Sequence, residues 1–140
     1  MDYKLEVVTL AVRDIDAARD FYVSLGFTLD VDYHPRDGFR VVQVTPPGSA
    51  CSIQFGDGLT DAAPGSARAN YLVVPDLEAA RQDLVARGIK VSDIRHKEPI
   101  DTWAGEFAPG PDPERRPYAS LADFADPDGN TWILQEIPRG

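Results

Sequence analysis

The chain has 140 residues, of which 43% are hydrophobic, and it carries a formal net charge of -9. That is enough for one domain with a substantial core and too little for two independent ones. The acidity opposes phosphate backbones and anionic membranes, and no apolar run approaches the roughly 20 residues needed to cross a bilayer.

In chain order, the opening MDYKLEVV enters a strand-like pattern at once, without the basic and apolar regions of a secretory leader. The lone Cys51 has no intrachain disulfide partner, so a reducing, cytoplasmic setting is expected. The first strand is expected in LEVVTLAV, with Asp14 as helix N-cap. Ile15, Ala18, Phe21, Tyr22 and Leu25 then recur at helical spacing. Gly26 stands where a left-handed residue closes a helix. Strands are expected in FTLDVDY, FRVVQVT and CSIQFG, with His34 in a turn between the first two. Asp57 to Arg68, rich in Gly, Ala, Pro and Ser, reads as a linker.

The same series then repeats. Val12-Arg13-Asp14-Ile15-Asp16-Ala17-Ala18-Arg19 returns as Val74-Pro75-Asp76-Leu77-Glu78-Ala79-Ala80-Arg81, 62 residues on (12 to 74). The same offset pairs Leu10 with Leu72, Val23 with Val85, Gly26 with Gly88 and Phe27 with Ile89. NYLVV, a helix from Asp76, IKVSDI, YASLADFA and TWILQEI complete the second set. Asp126-Pro127-Asp128-Gly129-Asn130 forms the turn before the last strand. An internal repeat of this kind sets the architecture. The fold class expected is α+β, a single domain of paired βαβββ modules over residues 1–56 and 69–137. Between Ile94 and Tyr118 lies a Pro- and Gly-rich stretch with Trp103 and Phe107, read as a binding loop or lid.

V-x-D-x-x-x-A-x-x-F-Y from Val12 to Tyr22, its echo from Val74 and the D-P-D-G-N turn, in this order around a duplication, resemble the vicinal oxygen chelate superfamily. This is the group of the glyoxalases, bleomycin-resistance proteins and extradiol dioxygenases. The resemblance covers nearly the whole chain. It implies that the modules form a curled mixed sheet around a cavity, with the helices outside, and that members of this kind form homodimers.

Metal-using members of that family place one ligand on the first and one on the last strand of each unit, usually His or Gln and Glu. Carried over, those positions are Val7, Ala69, Ile133 and Gln54. One amide oxygen among three alkyl side chains is no site for a divalent ion, so neither a metal nor another cofactor is expected. His34 reads as a loop residue. His96 reads as a strand-end residue, more a surface group than a catalytic one, and is the weak candidate for proton transfer.

Strand alternation gives Val7, Thr9, Ser52, Gln54, Ala69, Tyr71, Thr131, Ile133 and Gln135 one shared inward face. With Trp103 and Phe107 they make the expected wall for an organic, aromatic or hydrophobic ligand. The expected partner is therefore a small organic molecule, not nucleic acid, membrane or a protein groove. The alternative is an enzyme, either glyoxalase-like or a cofactor-free isomerase, lyase or cyclase. No G-x-S-x-G or phosphate-binding loop supports other chemistry.

Overall fold

The computed structural model describes residues 1–100 and 105–139. The chain divides into two compact units. The first comprises Met1–Arg68 with Asp126–Asn130, and the second Ala69–Ala125 with Thr131–Gly140. Both are α+β.

In the first unit the elements are β1 (Val7–Thr9), α1 (Ile15–Ser24), β2 (Thr28–Arg36), β3 (Phe39–Thr45) and β4 (Ser52–Asp57). The sheet order is β1-β4-β3-β2, with β1 parallel to β4 and the other pairs antiparallel. Asp14 caps α1, its carboxylate accepting the Ala17 N–H at 3.0 Å. The helix closes as the sequence predicts. The N–H of Gly26 (φ 94°) meets the Val23 carbonyl, and the Phe27 N–H reaches back to Tyr22 O at 3.2 Å. α1 lays Ala18 and Tyr22 on a sheet face made by Val42, Val44, Ile53 and Phe55, all buried. The Tyr22 ring lies 5.7 Å from that of Phe55 and 5.8 Å from that of Phe27.

β1 is shorter than the apolar run around it. His34 is not in a turn: it lies inside β2, and the chain reverses at Asp37 and Gly38 (φ 84°). A bulge explains why simple alternation misleads in β2. Leu29 pairs with Val44 but Val31 pairs with Gln43, so the extra residue, Asp30, moves the following side chains to the other face.

The second unit contains β5 (Asn70–Val74), α2 (Leu77–Ala86), β6 (Arg95–Lys97), β7 (Phe107–Pro109), β8 (Ser120–Ala125) and β9 (Thr131–Glu136), in the order β5-β9-β8-β6-β7. Asp76 caps α2 through the Ala79 N–H, and Gly88 (φ 86°) closes it with the same pair of bonds. Leu77 and Leu84 pack with Ala122, Phe124, Trp132 and Leu134. Trp132 lies on this helix-facing side, as its parity predicts, stacked 6.5 Å from Phe124.

Two expectations fail here. IKVSDI forms no strand, because α2 takes up its backbone. Arg81 donates to the carbonyls of Val91 and Ser92, while Ser92 N–H bonds to Asp123 O and the Ile94 carbonyl accepts the Gly110 N–H. The strand starts at Arg95 instead. The stretch from Ile94 to Tyr118 is also not structureless. β7 pairs with β6, and the following turn is pinned by Asp112, whose fully buried carboxylate takes two hydrogen bonds from the Arg116 guanidinium and one from its N–H. The neighbouring Arg115 grips buried Glu136 at 2.6 Å, and Glu136 also accepts the Leu77 N–H. Trp103 lies outside the described residues.

Candidate functional site

Each sheet has a second face, away from its helix, and the expected site residues can be placed on these open faces one unit at a time. In the first unit β1 and β4 run in parallel with Val7 beside Ser52 and Thr9 beside Gln54. Gln54 Nε2 donates to Thr9 Oγ1 at 2.9 Å, which fixes the amide and turns its oxygen outward from that bond. Gln43 stands directly across from Gln54. Beyond it Thr45 Oγ1 lies 2.7 Å from Ser52 Oγ and donates to Asp30. Val31 and Tyr33, both exposed, continue this face on β2. It is a hydroxyl- and amide-bearing surface with apolar margins and the Asp30 carboxylate at its Thr45 end.

In the second unit the parallel pair β5 and β9 sets Tyr71 beside Ile133 and Val73 beside Gln135. This register matches the first unit: Thr9 with Gln54 corresponds to Tyr71 with Ile133 at the repeat offset. Gln54 and Ile133 are therefore equivalent positions of the two modules. Ala69 lies one residue ahead of β5 at φ 59°, its N–H bonded to Thr131 Oγ1 at 2.7 Å, so strand alternation does not reach it. Gln135 is buried, and its Nε2 donates to the Tyr118 carbonyl at 2.9 Å, an anchor for the turn before β8.

His96 is where the sequence reading goes wrong. It is 7% exposed, not a surface residue. Its ladder partners are Ser120 and Ala108, on the side opposite Arg95, and its Nδ1 lies 2.8 Å from the Gly110 carbonyl. The imidazole thus packs on the helix side of its strand and anchors the β7 turn. Phe107 belongs to β7 and is 43% exposed, with the Arg95 guanidinium 4.9 Å from its ring centre.

Arg95 and Asp123 were missed. Arg95 donates to both carboxylate oxygens of Asp123, at 2.9 and 3.2 Å. Asp123 stands across from Ile133, and Arg95 across from Leu121. The D-P-D-G-N turn already carried the register that puts Asp123 opposite Ile133; the misplaced sixth strand hid Arg95.

The positions to which the family resemblance assigns metal ligands are, in this sequence, Val7, Gln54, Ala69 and Ile133. One amide oxygen and three alkyl groups do not fit a divalent cation, which needs about four to six donor atoms. Among the described residues no group of three or more His, Cys, Asp or Glu is gathered as a metal would need.

Two modules of this topology, with matched parallel pairs and matched helix caps, define a protein of the paired βαβββ class. The chain belongs to the Glyoxalase/Bleomycin resistance protein/Dioxygenase superfamily, whose model matches residues 4–134. Among solved structures it is similar to TnmS3, an antibiotic binding protein from Streptomyces sp. CB03234. The identity is 30% over 99% of this chain and 98% of that one, with a TM-score of 0.72. It is also similar to a glyoxalase/bleomycin resistance protein from the same organism, at 31% identity over 94% and 99% of the two chains, TM-score 0.69. A superfamily member from Sphaerobacter thermophilus DSM 20745 is 26% identical over 97% and 98%, TM-score 0.71. No curated protein matches the sequence.

Proposed function

We propose that this protein binds a small organic molecule, aromatic or hydrophobic, on the open sheet faces without a metal, in the manner of a drug-sequestering protein. The observation that carries this reading is the donor set. By the family resemblance Val7, Gln54, Ala69 and Ile133 take the places of metal ligands, and their side chains are three alkyl groups and one hydrogen-bonded amide. Such a surface suits a ligand held by area burial and a few directed hydrogen bonds. The likeness to an antibiotic binding protein over nearly the whole of both chains supports the same reading. The rival, a cofactor-free isomerase, lyase or cyclase, needs an acid or base on an open face. The one carboxylate paired across from Ile133, Asp123, is engaged as the hydrogen-bond partner of Arg95 through both its oxygens.

Two accompanying features belong to the proposal. The protein acts as a homodimer, and it works in a reducing cytoplasm, for which a single half-buried thiol at Cys51 is suited. No helix among the described residues is long and apolar enough to cross a membrane.

Native mass spectrometry of the purified protein, followed by thermal-shift screening of aromatic antibiotics and dyes, tests the reading. One small molecule per chain that raises the melting temperature with concentration is the expected result. A protein that no such compound stabilises, but that converts a small substrate, would favour the enzyme.

A further inference from the structure

The face of the second sheet turned away from α2 carries apolar side chains with three charged ones, Arg95, Asp123 and Lys97. Leu121, Ile133, Tyr71 and Phe107 share that face with Arg95 and Asp123. The guanidinium is held twice over, by two hydrogen bonds to Asp123 and by the Phe107 ring beneath it. Both side chains still reach solvent, Arg95 at 26% and Asp123 at 46%. The two bonds leave further N–H donors on the guanidinium and lone pairs on the carboxylate. A stacked, bidentate arginine has little freedom left to lose when a ligand arrives. The pair is also neutral as a unit. An ionised ligand laid beside this pair finds each of its two charges already compensated, whereas an uncharged one meets both a donor and an acceptor. Lys97, on the same side of β6, is only 8% exposed.

We infer that the Arg95–Asp123 pair is the charge-selecting element of the ligand face, setting it for uncharged planar aromatic molecules that bear a hydrogen-bond donor and acceptor. This rests on the binding reading above and goes beyond it by naming the ligand class and the residues that select it. Removing one partner leaves the other's charge uncompensated and shifts the preference in a direction fixed by the sign of that charge.

Two fluorescent probes that differ only by a sulfonate serve as the test: neutral 1-N-phenylnaphthylamine and anionic 1-anilinonaphthalene-8-sulfonate. Wild-type protein should bind the neutral probe more tightly. Asp123→Asn should move the affinity ratio toward the anion by about tenfold at low salt, and Arg95→Met should move it away by a similar factor. Arg95→Met combined with Asp123→Leu should restore the wild-type preference. Circular dichroism establishes that each variant is folded, and Asp123→Ser replaces Asp123→Asn if the latter is not. Single variants that bind the neutral probe with an unchanged ratio, or a wild type that prefers the anion, would overturn the inference while leaving the binding reading intact. A wild type that binds neither probe would sink the binding reading itself, and this inference with it.

Discussion

Tyr22 shows how a residue that looks like ordinary core does a second task. Its ring fills the first unit, and its hydroxyl donates to Asp126 at 2.7 Å. Asp126 also accepts the N–H groups of Asp128 and Asn130 and the Asn130 side-chain amide, and Asn130 donates in turn to the Ala11 carbonyl. D-P-D-G-N is thus a buried hydrogen-bonded hub of the first unit as well as a turn. Gly65 is the counterpart on the other side. At φ 75° it sits so close that a Cβ would lie 2.0 Å from the Asp128 carbonyl oxygen. Gly65→Ala should therefore destabilise the protein by about 1 to 3 kcal/mol, read from denaturant unfolding; an unchanged midpoint would show that the contact relaxes freely. Gln54 tests the ligand face. Gln54→Leu should alter selectivity among bound aromatics by about 0.5 to 1.5 kcal/mol, the worth of one directed hydrogen bond. Calorimetric titration of several ligands checks it, and equal losses for all of them would mean the amide orients nothing.

At the scale of elements, the helices and their caps were readable because each signal is local: Asp14 and Asp76 bond within one turn, and Gly26 and Gly88 sit where φ is positive. The strands were less readable where a distant group competes for the backbone. Arg81 takes the carbonyls of Val91 and Ser92 away from the sheet, and no short-range pattern announces that. His96 was misplaced for a related reason. Its burial depends on a ladder with Ser120 and Ala108, 24 and 12 residues further along the chain (96 to 120 and 96 to 108), beyond the reach of any local pattern. The open-face residues on β4, β5 and β9 were legible because parity survives in strands without bulges, and Ala69 was not because it precedes its strand.

The turn after β7 carries a pH dependence. The Arg116 guanidinium bonded to Asp112 holds that carboxyl well below the ordinary carboxylate range. A carboxylate with a lowered folded-state pKa adds stability that is present above its unfolded pKa of about 4 and is lost as pH falls toward the folded value. The melting temperature should therefore drop as pH falls below about 4, and Arg116→Met should shift that acid limb to higher pH. Coincident acid limbs for wild type and variant would contradict this account of the turn.

At the scale of the whole molecule, β2 is an edge strand with every residue exposed, Leu29, Val31 and Tyr33 among them. Unpaired edges with apolar side chains invite a partner, and twofold dimers are the commonest oligomers. A homodimer is expected, and light scattering at micromolar concentration checks it. A monomer would count against that part of the proposal.

Binding of a small organic molecule without a metal is tested most directly by one titration performed twice. The tightest aromatic ligand found by screening is titrated calorimetrically into the protein as purified and again after exhaustive dialysis against EDTA. The donor set at Val7, Gln54, Ala69 and Ile133 leads to the same affinity and the same melting temperature in both states. Affinity lost on chelation and restored by one equivalent of zinc, nickel, manganese or iron would contradict it.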